Sequence, residues 1–132
     1  MKETILGGCH CGAVRFSCAL DLGVPTMRCN CSVCSKARYW FAPVPAVDFT
    51  LLAGESELAD YRFGSHAVHH RFCRRCGIKT FGEANLPEFG GPFFAVSVAC
   101  LELAAEVLAG LPVEYNDGAT GSGKPPAITR HL

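Results

Sequence analysis

Seven of the nine cysteines in this 132-residue chain fall in three tight clusters, at Cys9/Cys11, Cys29/Cys31/Cys34 and Cys73/Cys76. Cysteine thiolates are preferred ligands of zinc, and seven sulfurs divide naturally into a set of four and a set of three. Four thiolates close the coordination sphere and make a structural site, whereas three leave one position for water or a substrate. The clusters therefore predict an enzyme built around a metal scaffold.

The first and third clusters have the spacing of a four-cysteine zinc site. In extended backbone, residues i and i+2 point the same way, so Cys9 and Cys11 in GGCHCG can present two sulfurs to one metal. The segment FCRRCG is typical of a zinc knuckle, in which a turn aims backbone amides at Cys73 and Cys76 and Gly77 tolerates positive φ. Together the two motifs predict a structural zinc; unliganded buried cysteines are the alternative.

The middle cluster supplies three sulfurs from one short segment, CNCSVC, through Cys29, Cys31 and Cys34. Three-cysteine zinc sites have a catalytic precedent, so an open catalytic zinc is the main interpretation. Two others stay open: a second structural zinc completed by Cys18, Cys100 or a histidine, and a redox-active thiol set. The grouping is also open, because Cys31 and Cys34 can join the third cluster and leave Cys29 with the first.

Length and charge narrow the class of protein. The 132 residues fit one domain, expected to span residues 1–132, and twelve basic side chains cancel twelve acidic ones. A chain without a positive field is not expected to bind nucleic acid or an anionic membrane. The N-terminal MKETILGG has no apolar signal core and the number of cysteines is odd, which predicts reduced thiols in the cytoplasm.

The elements that must position the cysteines are mostly short strands. Alternation at Val14, Phe16 and Cys18 predicts a half-buried strand, and Phe41 to Val44, interrupted by Pro43, predicts a short edge strand. Further β-runs separated by turn signals are predicted at Phe49–Leu52, Leu58–Phe63, Val68–Phe72, Ile78–Phe81 and Phe93–Cys100. The regular spacing favours a mainly β fold of short antiparallel strands, stapled by zinc.

Helix is predicted in two places, Ser32 to Arg38, with Ser32 as its cap, and Leu103 to Leu108. The apolar stretch from Phe93 to Leu111 has about membrane-spanning length, but it carries Glu102 and Glu106, and we expect a buried strand followed by the short helix instead. The tail from Asn116 to Pro126 is rich in Gly, Ser and Pro and predicts a surface loop. Ile128 and Leu132 are candidates to dock the C-terminus.

Several motifs together resemble the glutathione-dependent formaldehyde-activating enzyme family. They are GGCHCGAVRF, CNCSVCSK, Gly54-Glu55 followed by YRFGS, RFCRRCG and VSVACLE. The resemblance runs from about Gly7 to Glu102, with a weaker echo in the terminal PAITRHL, and every cysteine of the family pattern is present.

The resemblance implies a zinc-binding, mainly β fold related to a Rab-interacting zinc protein. It assigns a structural zinc to Cys9, Cys11, Cys73 and Cys76 and a catalytic zinc to Cys29, Cys31 and Cys34. The reaction it implies joins glutathione and formaldehyde into S-hydroxymethylglutathione, and breaking the same C–S bond makes such an enzyme a carbon-sulfur lyase. The partners implied are therefore a small thiol and an aldehyde.

The implied reaction fits the chemistry of an open three-thiolate zinc. Such a zinc can bind a thiol as its thiolate or polarise an aldehyde oxygen, and the sequence does not choose between the two roles.

Other side chains are weaker candidates for the site. An anionic thiol needs cationic partners, for which Lys36 and Arg38, or Arg74 and Arg75, are candidates, with ordinary surface charges as the alternative. Tyr39 and Trp40 are candidates to wall the pocket, with core packing expected for at least one of them. Of His66, His69 and His70, at most one is expected to matter, because His69 and His70 face opposite ways in a strand. Cys18 and Cys100 are expected to be buried packing thiols.

Two functions from other classes remain. A non-catalytic interaction module would use both zincs for architecture and predicts four protein ligands at the middle cluster. A thiol redox sensor predicts ready disulfide formation and zinc release on mild oxidation.

Overall fold

Ten β-strands in two sheets dominate the computed structural model, which describes residues 1–132. The prediction of a mainly β fold is confirmed. The strands are β1 Glu3–Gly8, β2 Arg15–Leu20, β3 Thr26–Cys29, β4 Trp40–Pro45, β5 Phe49–Ala53, β6 Leu58–Tyr61, β7 His69–Cys73, β8 Lys79–Leu86, β9 Gly91–Ser97 and β10 Val113–Asn116. The helices are α1 Ser32–Ala37 and α2 Ala105–Gly110, with 3-10 turns at Ala46–Asp48, Glu55–Glu57, Pro87–Phe89 and Val98–Cys100.

The smaller sheet has the strand order β1-β2-β5 and the larger one β10-β3-β4-β9-β8-β7-β6. Every strand pair is antiparallel, as predicted, except β10 and β3, which run parallel at one edge of the larger sheet. This exception joins residues near the end of the chain to the strand that carries Cys29, since Asn116 lies opposite Cys29 in the register.

The two faces of the larger sheet have different roles. Side chains alternate across a strand, so Ala42 of β4 and its partner Val96 of β9 lie on one face, where they join the main core. That core lies between the sheets, and Phe16 of the smaller sheet meets Phe81 of the larger one at a ring distance of 6.1 Å. Phe41 lies on the opposite face, in a second buried cluster with Cys29, Cys34 and Tyr39. The larger sheet thus separates the main core from the middle cysteine cluster.

Strand β4 was predicted to be an edge strand, and this is wrong, because β4 lies between β3 and β9. A proline has no amide to donate to a neighbouring strand. Pro43 is tolerated because β3 pairs only with Trp40 and Phe41, so the ladder on that side has ended before Pro43. Strands β1, β3 and β10 were not predicted.

Helix α1 occupies the predicted place, but its N-cap is Cys31 rather than Ser32. Helix α2 begins at Ala105, two residues later than predicted, and the apolar stretch before it forms β9 and a 3-10 turn. The expected strand followed by a short helix is therefore confirmed. Neither α-helix has the length and apolar character that crossing a membrane requires.

Of the two residues expected to dock the C-terminus, only one is buried. Leu132 is buried at 7% exposure and docks the terminus, whereas Ile128 is 69% exposed and does not.

Candidate metal centre

The first and third cysteine clusters come together at one point. The sulfurs of Cys9, Cys11, Cys73 and Cys76 all lie within 4.8 Å of one another. The Cys9 and Cys11 sulfurs are 3.6 Å apart, and those of Cys11 and Cys73 are 3.7 Å apart. A tetrahedron with metal–sulfur bonds of ~2.3 Å has edges of roughly 3.8 Å, so this arrangement fits a four-thiolate zinc. The alternative grouping, with Cys31 and Cys34 beside the third cluster, is not the one the fold adopts.

The first cluster reaches this geometry through a turn, and the predicted extended backbone is wrong here. His10 and Cys11 lie in the turn, and the amide of Gly12 donates to the carbonyl of Cys9 at 3.3 Å. The amide of Val14 donates to the Cys9 sulfur at 3.3 Å. The turn folds the chain back so that both sulfurs still face one point.

The third cluster has the predicted knuckle. Gly77 has φ +79°, and its amide donates to the carbonyl of Cys73 at 2.8 Å. The backbone amides of Cys11 and Ile78 lower the pKa of the Cys76 thiol to about 6. Since a metal binds the thiolate, these amides prepare Cys76 for ligation.

The middle cluster forms a separate three-sulfur group, which we call the triad: Cys29 at the end of β3, Cys31 at the cap of α1 and Cys34 within α1. Its sulfurs lie within 4.8 Å of one another, and no fourth cysteine, histidine or carboxylate belongs to the group. Cys18 is buried in the main core, as expected, and the thiol of Cys100, half-buried, donates to the carbonyl of Lys79 at 3.5 Å. Neither completes the triad.

Backbone and side-chain amides are directed at Cys29. The amide of Cys31 lies 3.4 Å from the Cys29 sulfur and Asn116 Nδ2 lies 3.6 Å from it. The pKa of Cys29 falls to about 2, because the Cys31 and Cys34 thiols hydrogen-bond to it and the amides of Cys31 and Gly118 add to the effect. The pKa of Cys34 rises for the converse reason. The surrounding donors therefore favour ionisation of Cys29 within the triad.

Residues 116–119 hold the triad from the far end of the sequence. The side chain of Asn30 donates to Asp117 Oδ1 at 3.0 Å, and its own oxygen accepts from the amide of Ala119 at 2.9 Å. The Asn116 to Pro126 tail is mostly a loop, as predicted, but its first residues form one wall of the site, which was not predicted. The Asn-Asp-Gly sequence signals a turn, yet nothing in it indicates which part of the chain the turn contacts.

Gly118 is where this loop meets the sulfurs most closely. A Cβ added there would lie 2.6 Å from the Cys29 sulfur and 3.0 Å from Cys31 Cβ. If the triad binds added zinc, we expect Gly118→Ala to lower that affinity about tenfold or more while the protein stays folded. Displacing the groups that support a metal ligand typically lowers metal affinity 10- to 100-fold. Competition with a chromophoric chelator measures the affinity. Gly110→Ala is the control, since a Cβ there meets nothing within 4 Å; equal affinities in the two variants would contradict the prediction.

A cavity of about 210 Å³ opens over the triad. Twelve of its sixteen lining residues are hydrophobic, and they include Val33, Phe41, Phe63 and Phe93. A few polar side chains converge on this apolar space, as in typical ligand sites. The volume holds a small molecule or one end of a larger one.

Two of those polar side chains, His70 and Lys79, are paired. The ammonium of Lys79 lies 2.7 Å from His70 Nδ1 and 4.0 Å from the centre of the Tyr39 ring. Burial and the charge of Lys79 lower the pKa of His70 to about 4, so its imidazole is neutral at pH 7. His69 faces the other way and contacts Asp60 at 2.9 Å, which confirms that the two histidines point to opposite faces.

Most of the other weaker candidates lie away from the cavity. Lys36, Arg38 and His66 are exposed and do not line it. Tyr39 lines the cavity and also a neighbouring cleft of about 640 Å³, which Arg38 and Trp40 border. The Trp40 indole donates to Thr26 Oγ1 at 2.7 Å.

The two arginines of the knuckle bind the neighbouring turn and strand β6 instead. Arg75 pairs with Glu57 at 3.0 Å, and the side chain of Arg74 donates to the carbonyl of Leu58 at 3.4 Å. Of all the lysines and arginines, only Lys79 lines the triad's cavity, and the sequence did not indicate it.

Comparison with known proteins agrees with this arrangement. The profile described as glutathione-dependent formaldehyde-activating enzyme matches residues 4–110, which is most of the chain. A crystal structure of a Rhodobacter sphaeroides protein, a structural genomics target, is 32% identical in sequence and aligns with a TM-score of 0.69 over 83% of this chain and 99% of that one. The chain therefore belongs to the glutathione-dependent formaldehyde-activating enzyme family.

Proposed function

We propose that this protein catalyses the reversible addition of a thiol to an aldehyde, forming and breaking a C–S bond. The substrates we propose are glutathione and formaldehyde, with S-hydroxymethylglutathione as the adduct, which makes the protein a carbon-sulfur lyase. One observation carries the proposal: a three-sulfur group without a fourth protein ligand opens into a small apolar cavity. The family description supports the choice of substrates.

Zinc is the metal we propose for both sulfur groups, because soft thiolate donors in tetrahedral geometry select it. Cys9, Cys11, Cys73 and Cys76 would hold a structural zinc. Cys29, Cys31 and Cys34 would hold a catalytic one, which supplies Lewis acidity and favours the ionised form of a thiol at neutral pH. All nine cysteines are free thiols, which fits a reducing compartment such as the cytoplasm.

The chain's own residues prepare the cavity for this addition. The apolar lining limits the water that competes with the thiol for the aldehyde carbon. Asn116 donates to the Cys29 sulfur at 3.6 Å, and Gly118 lies close against the same sulfur. Bringing the thiol and the aldehyde together in one small space removes much of the entropic cost of a bimolecular step.

Metal content and adduct formation, measured on the same samples, test the proposal. Anaerobically purified protein is analysed for zinc, stripped with a chelator and reloaded in steps of one equivalent, with glutathione and formaldehyde assayed at each step. We expect two zincs per chain, and adduct formation that follows the second equivalent.

A preparation that binds two zincs and still forms no adduct faster than the uncatalysed mixture would overturn the catalytic role. Binding of a single zinc would overturn the proposed second site. Replacing glutathione by 2-mercaptoethanol tests the thiol: equal rates would show that the cavity accepts thiols in general.

A further inference from the structure

Lys79 is a cation without a carboxylate partner. It stands at the start of β8, is half-buried, and lines both the cavity over the triad and the neighbouring cleft of about 640 Å³. None of the seven salt bridges in the protein includes it. Burial of an ammonium among apolar side chains costs free energy unless neighbouring groups replace its lost hydration.

Two neighbours fix the position of the ammonium. It donates to Nδ1 of the neutral His70 at 2.7 Å, and it lies 4.0 Å from the centre of the Tyr39 ring, a favourable cation–π position. Both neighbours are themselves held, since the Tyr39 hydroxyl donates to the carbonyl of Ala95 and Phe63 stacks on His70 at 5.6 Å. The lysine is therefore positioned before any ligand arrives.

The charge of the triad completes the environment. Burial lowers the pKa of Lys79 below its ordinary value, and the nearby sulfurs of the triad act in the opposite direction when they are ionised. Three thiolates around a divalent ion would carry a net charge of −1. With such an ion bound, the cavity would hold one cation and one anionic centre, with apolar side chains around both.

We propose that Lys79 binds the aldehyde oxygen and donates the proton that this oxygen needs as the C–S bond forms. The inference rests on the proposed function and deepens it. The thiol first loses its proton to solvent, and its sulfur lone pair then forms the bond to the carbonyl carbon. The C=O π electrons move to oxygen, the resulting alkoxide takes a proton from Lys79, and the amine regains one from solvent. The sum is one thiol and one aldehyde giving one hemithioacetal.

Binding of small thiols tests the oxygen site without relying on catalysis. Mercaptoacetate carries an anionic oxygen close to its sulfur, whereas ethanethiol carries none. Calorimetry compares the two on zinc-loaded wild type, Lys79→Met, Lys79→Arg and the control Lys36→Met, whose lysine is exposed and lies outside the cavity. Zinc content and circular dichroism establish that each variant is folded and loaded, and Lys79→Gln replaces Lys79→Met if the latter does not fold.

We expect wild type and Lys36→Met to prefer mercaptoacetate by roughly tenfold, the value of one charge-assisted hydrogen bond. Lys79→Met should lose that preference and Lys79→Arg should keep part of it. Equal binding of both thiols by wild type, or an unchanged preference in Lys79→Met, would overturn the assignment of Lys79. Failure of wild type to bind either thiol would overturn both this assignment and the proposed function.

Kinetics provides the second readout. Lys79→Met should lower kcat for adduct formation about 100-fold, the lower end for loss of a general acid, with KM for the thiol changed much less. An unchanged kcat would overturn the proton transfer. A wild type that prefers mercaptoacetate through Lys79 and yet forms no adduct would overturn the proposed function and leave the oxygen-binding site standing.

Discussion

Replacing Cys76 by serine is expected to abolish stable folding. The four sulfurs of this group join the turn after β1 to the knuckle between β7 and β8, and so connect the smaller sheet to the larger one. Binding of zinc to a structural thiolate site contributes on the order of 10 kcal/mol and is coupled to folding. The net stability of a domain is only about 5–15 kcal/mol. Loss of most of the zinc-binding free energy therefore leaves little net stability.

Urea denaturation followed by circular dichroism measures the effect, with zinc content determined on the same samples. We expect Cys76→Ser to show no cooperative transition, or one at a much lower urea concentration than wild type. Cys100→Ser is the matched control, because Cys100 is half-buried, belongs to neither sulfur group and makes only a weak hydrogen bond that serine can keep. Its stability should fall by about 1 kcal/mol or less. A Cys76→Ser protein as stable as this control would contradict a structural role.

Local sequence patterns predicted the elements whose determinants are local. The alternation around Phe16 and the short span of α1 both depend on residues close in the chain, and the structure has them in these places. The CxC motif shows the limit of such rules. Its sulfurs converge because a turn, and not a strand, folds the chain between Cys9 and Val14.

Pairing between distant segments could not be predicted in this way. Asn116 meets Cys29 because β10 runs parallel to β3, and 87 residues separate the two partners. Nothing in either short segment specifies this pairing, since strands of four residues carry little register information. The wall of the site formed by residues 116–119 was missed for this reason.

Lys79 was missed for a related reason. Its neighbours on the sequence belong to the knuckle, but its ammonium reaches His70 across the pair of β7 and β8, where a bulge shifts the register after Arg71. A lysine at the start of a strand is ordinarily a surface residue. Only the pairing of β7 with β8 and the position of Tyr39 place this one beside the triad.

Cys31→Ser is expected to give a folded protein with one zinc instead of two and almost no adduct-forming activity. Cys31 is the N-cap of α1, and its side chain makes no capping hydrogen bond in the structure. Serine is among the preferred N-cap residues, so the substitution should leave the stability within about 1 kcal/mol of wild type. A hydroxyl does not ionise at neutral pH, however, and cannot replace a thiolate ligand.

Elemental analysis, urea denaturation and the glutathione–formaldehyde assay on the same protein check the three parts of this prediction. Loss of a hydrogen-bond partner of a metal ligand typically lowers activity up to about 100-fold, and loss of the ligand itself should lower it more. Activity should therefore fall at least about 100-fold. Ser35→Ala, in the same helix and outside the sulfur group, is the control and should keep both zincs and the activity. Destabilisation of Cys31→Ser as severe as that of Cys76→Ser would contradict the division into structural and catalytic groups. Two zincs with full activity would instead show that Cys29 and Cys34 suffice to bind the metal. The number of thiolate ligands at this group would then not determine the activity.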